Sequence, residues 1–198
     1  MEALKQTARE LFGAEGPELD LAGSTDSGIV RGMLEHFSSD LTLDAFYEVY
    51  LSKLPSNLDS FAGRVLPGVD FLLDSIMRGD DTLGLLTGNI AEGAWAKLSY
   101  YGLSDYFTFG AFGDDHYDRN LLGPVALDRA NQHTEYIYQG ENTIVIGDTP
   151  KDIACGKAMG AVTLAVATGG FSLAELIAYG ADYAVEDLKS AEALDILG

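Results

Sequence analysis

The fold is decided by the stretch Thr143-Ile144-Val145-Ile146-Gly147-Asp148-Thr149-Pro150-Lys151-Asp152. Its apolar first half predicts a buried strand, and Pro150 is typical of the first turn of a helix, which Gly160 would end. A strand that runs directly into a helix is the unit from which parallel sheets are built. Because ligands of open α/β folds bind at the carboxyl ends of the strands, Asp148 is predicted to lie at a binding edge.

The same alternation of short strands and helices begins at Leu66 and continues to the C-terminus. Capping pairs at Asn89 with Glu92, and at Ser172 with Glu175, predict the starts of two of the helices. The pattern is typical of a parallel sheet that is covered by helices on both faces. The predicted strands are Leu83 to Thr87, Phe107 to Phe112, Thr143 to Gly147, Val162 to Ala167 and, with a weaker pattern, Asp182 to Val185.

The chain before Val65 has a different hydrophobic pattern, because its apolar residues recur only at helical spacing. Pro55 is predicted to interrupt these helices, and Pro67 to open the first helix after them. We therefore predict two domains, a helical domain at 1–64 and a Rossmann-like α/β core at 65–198.

The segment Ser24-Thr25-Asp26-Ser27-Gly28 predicts a helix start, with Asp26 or Thr25 as the N-cap residue. A loop that faces a substrate is the alternative interpretation of the same residues.

Composition excludes several classes of protein. The 12 Lys and Arg residues against 31 Asp and Glu give a net charge of −19, and 47% of the residues are hydrophobic. A folded protein is indicated, and neither duplex nucleic acid nor an anionic membrane is expected as a partner, because both need a basic surface. No long apolar run and no secretory signal is recognised, so we expect a cytoplasmic protein.

Two carboxylates are predicted to share the edge that Asp148 marks. Asp152 follows one helical turn later, so both side chains can face one pocket. Carboxylate oxygens that converge there are the ligands of a Mg²⁺ ion that also binds phosphate. The alternative is that Asp148 only caps the helix that begins at Pro150. Lys151, in the same turn, is expected to point outward.

A second strand end at Thr87 offers a place for a phosphate oxygen. Thr87 supplies a hydroxyl, and Gly88 supplies a backbone N–H at the start of a helix; ordinary capping by Asn89 is the alternative. The positive charge that a phosphate needs could come from Lys97 or Arg119, although single basic residues on helices are more often solvated surface charges.

These residues carry a resemblance to a known family. Leu86-Thr87-Gly88-Asn89 and Gly147-Asp148-Thr149-Pro150-Lys151-Asp152 resemble the second and fourth motifs of the haloacid dehalogenase (HAD) superfamily, in particular its phosphoglycolate-phosphatase-like members. The resemblance covers nearly the whole chain, and the N-terminal helices are similar to the family's helical cap. Further similar segments are Pro67-Gly68-Val69, Tyr101-Gly102-Leu103 followed by Tyr106-Phe107, and Ala158-Met159-Gly160-Ala161.

The resemblance implies a Mg²⁺-dependent hydrolase of small phosphorylated metabolites that works through an aspartyl-phosphate intermediate. Carried over, it makes Thr87 a catalytic residue that binds the phosphoryl oxygen together with Gly88 and Asn89. Asp148 would ligate the metal and Asp152 would support it. The catalytic base of the third motif would be Arg119 or Lys97. The family usually has a lysine followed by proline there, whereas this chain has Arg119-Asn120.

The family's first motif, an apolar strand that ends in Asp-x-Asp-Gly-Thr, does not occur in the sequence. No two of the 19 aspartates are two positions apart, so the nucleophile and the acid/base of the family are missing. The resemblance implies that this strand is the central one, between those that end at Thr87 and Asp148. We therefore expect an N-terminally truncated HAD-like Rossmannoid core, a parallel α/β sheet that lacks its first strand, with an all-helical cap.

Three alternatives remain for the chain as written. It could be a phosphatase that is impaired by the missing motif, a non-catalytic binding or interaction protein, or a fragment that a partner chain completes. Strand edges that have lost their neighbour are a liability. They could close on each other, be filled by another chain or rearrange, and all but the first of these outcomes predict a homo-oligomer.

Overall fold

The computed structural model describes residues 2–18 and 22–197 of the chain, so Met1, residues 19–21 and Gly198 of the two predicted domains lie outside it. Three helices come first: α1 Glu2–Phe12, α2 Asp26–His36 and α3 Leu43–Ser60. Strands and helices then alternate, as the sequence predicts. They are α4 Val69–Arg78, β1 Leu85–Leu86, α5 Ala91–Tyr100, β2 Gly110–Ala111, α6 Leu122–His133, β3 Ile144–Gly147, α7 Pro150–Ala158, β4 Val162–Val166, α8 Leu173–Ala178, β5 Tyr183–Val185 and α9 Ala191–Leu197.

The three N-terminal helices bury one apolar cluster among themselves. Phe46 is fully buried at its centre, and Ile90, from the turn before α5, extends the cluster into the second part of the chain. The helix α3 continues through Pro55, so the predicted interruption is wrong. A proline inside a helix costs about 3 kcal/mol, but Leu54 and Leu58 on either side of it pack on this cluster and hold the helix together.

All strand pairs are parallel, and the strands form two separate sheets. One sheet pairs β1 with β2, and the other has the order β3-β4-β5. Helices pack against the strands of both sheets. The predicted parallel α/β core after a set of N-terminal helices is confirmed, although the first two strands are two residues each and shorter than predicted.

In the described part of the chain β1 and β3 do not pair with each other, and we call the region at their two unpaired edges the sheet break. The N–H groups of Leu85 and Thr87 donate to the carbonyls of Phe109 and Ala111, and the carbonyl of Thr143 accepts from Val162 of β4. Backbone groups alternate in direction along a parallel strand, so those of Leu86, Ile144 and Ile146 point toward the sheet break. The side chains of Ile144 and Ile146 are 40% and 36% exposed. Among the described residues, β1 and β3 therefore each have one edge without a strand partner, and the predicted absence of a central strand remains a prediction.

Two predicted helix starts are displaced. Helix α4 begins at Val69, after Gly68 and not at Pro67, because Gly68 has a φ of 90° and any Cβ there would lie 2.6 Å from the backbone of Leu188. Helix α5 begins at Ala91 without a side-chain cap, so the capping pair predicted at Asn89 is wrong. Ser172 and Glu175 do form the predicted capping box of α8.

We expect Phe46→Ala to lower the free energy of unfolding by about 3–5 kcal/mol, because it opens a cavity at the centre of the helical cluster. Urea unfolding followed by circular dichroism measures this loss. The matched control is Phe61→Ala, since Phe61 is 73% exposed and its loss should cost less than about 0.5 kcal/mol. Equal losses in the two variants would contradict the packing described here.

Candidate functional site

Most of the predicted site residues lie around the carboxyl end of the broken sheet. The turn 87–89 follows β1 and the turn 148–152 follows β3, while Arg119 lies on the connection between β2 and α6. The fourth component is residues 23–26, which we call the cap loop and which lead into α2. A cleft of about 390 Å³ lies beside this loop, between it and part of the core. Its lining residues are Ser24, Thr25, Gly28, Ile29, Tyr117, Asp118, Arg119, Asn120, Lys151 and Ala154.

Asp152 is held by three hydrogen bonds at the start of α7. Its Oδ2 accepts from the Thr149 backbone N–H at 3.0 Å and from the Thr149 hydroxyl at 2.7 Å, which completes a capping box. Its Oδ1 accepts from Nη2 of Arg119 at 2.6 Å. The side chains of this ion pair are only 12% and 10% exposed. Asp152 therefore completes the capping box of α7, whose N-cap is Thr149, and neutralises Arg119.

Asp148 is half-buried, whereas Asp152 is buried. Burial and the charge of Asp152 raise the pKa of Asp148 above the ordinary value. Its carboxylate packs against Gly169, where an added Cβ would lie 2.3 Å from Asp148 Oδ2, so only glycine allows this approach. Asp148 also lines a second cleft of about 250 Å³, which is mainly apolar and includes Ile146 beside the sheet break.

These carboxylates do not by themselves make a complete magnesium site. Within residues 2–18 and 22–197, no group of three His, Cys, Asp or Glu side chains is placed to hold a metal ion. Asp148 is available as a ligand, whereas Asp152 is already committed to Arg119 and Thr149. The predicted roles of Asp148 as ligand and Asp152 as support remain predictions, and they need further oxygen ligands.

Hydrogen-bonding groups in the turn after β1 already have partners within the protein. Thr87 Oγ1 accepts from the Asn89 amide at 2.8 Å and from the Asn89 backbone N–H at 3.2 Å. The next two N–H groups, of Ile90 and Ala91, already donate to the carboxylates of Asp26 and Asp114, at 3.0 and 2.9 Å. The cap loop also covers Gly88, since a Cβ there would lie 2.2 Å from the Ser24 carbonyl oxygen.

The two candidate cations have different partners. Lys97 donates to Asn89 Oδ1. Burial lowers the pKa of Lys97, an effect that the charge of Asp26 partly opposes. Arg119 instead contacts Asp152 and donates from Nη1 to the Gly23 carbonyl at 3.1 Å. Of the two, only Arg119 contacts a predicted metal-site carboxylate.

The cap loop makes more contacts with the core than its sequence predicts. Thr25 is the N-cap of α2, because its hydroxyl accepts from Gly28 N–H, while Asp26 is 6% exposed and faces the core. Lys151 donates to the Ser24 hydroxyl at 2.5 Å, so the expectation that it points outward is wrong. The sequence did single out this segment as a helix start or a loop that faces the substrate, but no local pattern shows which core groups it would contact.

Comparisons with known proteins agree with this architecture. Residues 122–191 match the model of the HAD-hydrolase-like family. No curated protein matches the sequence. Similar solved structures include a hydrolase from Pseudomonas syringae, with a TM-score of 0.74 and 18% identity over 99% of this chain and 90% of that chain. Another is CbbY from Rhodobacter sphaeroides in complex with phosphate, with a TM-score of 0.74 and 14% identity over 98% of this chain and 90% of that one.

A predicted phosphoglycolate phosphatase from Haemophilus somnus 129pt is similar as well, with a TM-score of 0.69 and 14% identity over 100% of this chain and 89% of that chain. At such identities the likeness shows the fold. Together with the match over residues 122–191, it confirms the resemblance to HAD-like hydrolases and the HAD-like fold. No helix in the described part of the chain has the length and apolarity needed to cross a membrane.

We expect Asp148→Asn to raise the midpoint temperature of unfolding at pH 7.5 in metal-free buffer. The pKa of Asp148 is raised in the folded state, so its ionised form opposes folding at high pH. The gain should shrink as the pH falls through the raised pKa, and vanish below the ordinary value of 3.8. Scanning calorimetry at several pH values measures it, with Asp44→Asn, at an exposed position of α3, as the control. A lower midpoint at pH 7.5 would contradict the assigned environment.

Proposed function

We propose that this chain provides the cap and most of the core of a HAD-type phosphomonoester hydrolase that acts on small phosphorylated metabolites. The observation that carries the proposal is the convergence of Thr87, Asp148, Asp152 and Arg119 at one sheet edge beneath the cap loop. The complex of the Rhodobacter sphaeroides protein with phosphate supports it, because that protein has the same fold. We place the reaction in the cytoplasm.

In this proposal the chain's own residues bind and orient the phosphoryl group. The Thr87 hydroxyl and the Gly88 N–H donate to phosphoryl oxygens, with Asn89 fixing the rotamer of Thr87 through its amide. Arg119 supplies positive charge on the side of Asp152. A Mg²⁺ ion bound at Asp148 would neutralise the phosphate charge further. This help matters in a chain with a net charge of −19.

Ordinary turnover needs a nucleophile that these groups do not provide. Asp148 and Asp152 are assigned to the metal site, and no Asp-x-Asp pair exists in the sequence. A clamp can position a phosphoryl group, but it cannot form a covalent intermediate without an attacking carboxylate. The chain alone is therefore proposed to bind phosphate, and catalysis is proposed to require a segment that brings a carboxylate to the sheet break.

We expect isothermal titration calorimetry to detect binding of inorganic phosphate in the presence of Mg²⁺, with about a tenfold loss of affinity in Thr87→Val, because one hydrogen bond to a charged group is removed. The matched control is Thr108→Val, since Thr108 is exposed and precedes the amino end of β2. Hydrolysis of para-nitrophenyl phosphate should not exceed the background. Turnover that requires Mg²⁺ and is lost in Asp148→Asn would contradict the need for an external nucleophile.

A second candidate function, interaction with another chain, rests on the sheet break. Its edges present main-chain donors and acceptors of Leu86, Ile144 and Ile146, beside the apolar 250 Å³ cleft. Such edges pair readily with a strand from another chain. We propose that copies of this chain associate through these edges to form a homo-oligomer.

Light scattering tests this association. We expect an oligomer that dissociates in Ile146→Lys, because a charge on the apolar side of the edge disfavours its burial. The control is Ile177→Lys, since Ile177 is 55% exposed on α8, away from the sheet break. A monomeric wild-type protein would refute association through the sheet edges.

A further inference from the structure

We infer that the cap loop is an internal substitute for phosphate, in which the carboxylate of Asp26 occupies the anion-binding end of α5 and must be displaced before a phosphoryl group binds. The inference rests on the proposed function, because it concerns the same turn after β1. It adds a competing ligand that belongs to the chain itself.

The first step is the placement of Asp26. Although it is the first residue of α2, it does not cap that helix, since the Thr25 hydroxyl accepts the hydrogen bond from Gly28. Asp26 is 6% exposed, and its backbone N–H donates to the Gly88 carbonyl at 2.6 Å. The residue is thus fixed against the turn 87–89 by its main chain before its side chain is considered.

The second step is what the carboxylate binds. Asp26 Oδ2 accepts from the backbone N–H of Ile90, the N-cap residue of α5, at 3.0 Å. The start of a helix carries partial positive charge and free N–H groups, and it therefore attracts anions. Burial raises the pKa of Asp26, while this hydrogen bond and the charge of Lys97 favour the ionised form. The carboxylate therefore uses the kind of contact expected for a phosphate oxygen.

The third step concerns the cations. Arg119 donates to the Gly23 carbonyl, Lys151 donates to the Ser24 hydroxyl, and Lys97 interacts electrostatically with Asp26. Three positive groups around the site thus interact with one loop. A phosphoryl group that takes up these cations must break or weaken their contacts with the cap loop. Phosphate binding and closure of this loop are therefore opposed.

Charge repulsion acts in the same direction. A phosphate held by Thr87 and Gly88 would lie next to Asp26, whose main chain is bonded to Gly88. Two anions at that range repel strongly in a partly buried site. The structure therefore predicts that removing the charge of Asp26, while keeping its hydrogen-bond acceptor, improves phosphate binding.

The test is calorimetric titration of inorganic phosphate, at fixed Mg²⁺, into wild type, Asp26→Asn and the control Asp44→Asn. Asparagine retains an acceptor for the Ile90 N–H, so the fold is expected to persist, and circular dichroism checks it. We expect about tenfold tighter binding in Asp26→Asn, from the loss of one neighbouring negative charge, and wild-type affinity in Asp44→Asn, which lies in the first turn of another cap helix.

Hydrogen exchange in the wild type provides a second readout that needs no variant. Phosphate should accelerate exchange of the amides at 22–28, because the cap loop is released. If Asp26→Asn binds phosphate with unchanged or weaker affinity, or if phosphate protects these amides, the inference is overturned while the proposed function stands. If neither wild type nor Asp26→Asn binds phosphate, both are overturned.

Discussion

The arrangement of the site depends on the contacts of Arg119. Its guanidinium joins Asp152 at the start of α7 to the Gly23 carbonyl of the cap loop. The backbone carbonyl of Arg119 accepts a hydrogen bond from the buried thiol of Cys155. A buried ion pair offsets its desolvation cost only when the remaining hydrogen-bonding positions are also used. Thr149 satisfies Asp152 on the other side, whereas Nε of Arg119 is buried without a hydrogen-bond partner among the described residues. Cap, connecting loop and α7 are therefore held together by the Nη1 and Nη2 contacts of Arg119.

In the proposed function, the sheet break accounts both for the open strand edges and for the need for a carboxylate from another segment. The strands β1 and β3 turn backbone groups toward the sheet break, and Ile144 and Ile146 of β3 are exposed. A strand placed there would also deliver the residue at its carboxyl end between Thr87 and Asp148. In the proposed function, a segment that covers these edges would therefore lie beside Thr87 and Asp148, and it would complete the sheet and the proposed site together.

Much of the fold could be predicted from local sequence signals. The predictions that are wrong concern residues whose environment is set by distant parts of the chain. Periodicity and turn residues gave the helical cap, the order of strands and the turn that holds Asp148, because each depends on neighbours along the chain. Pro55 remains helical because packing against the cap cluster outweighs its cost. Asn89 does not cap α5 because Lys97 and Thr87 use its side chain. The burial of Asp26 depends on Gly88 and Ile90, more than 60 residues away in sequence, and no local pattern could indicate it.

The net charge of −19 acquires a specific meaning once the contacts are known. An acidic protein that binds phosphate needs local positive charge, and the cations at this site already interact with protein oxygens in the closed cap. Basic side chains that lie close together without partners would repel one another and lose hydration. The oxygens of the cap loop stabilise these side chains when no phosphate is bound. In the proposed binding, phosphate exchanges the hydrogen bonds between these cations and the cap loop for similar hydrogen bonds between the cations and phosphate. The net gain in free energy is small unless the phosphate complex also contains an extra positive charge. A metal ion at Asp148 would supply that charge, and it therefore has a large part in the proposed binding.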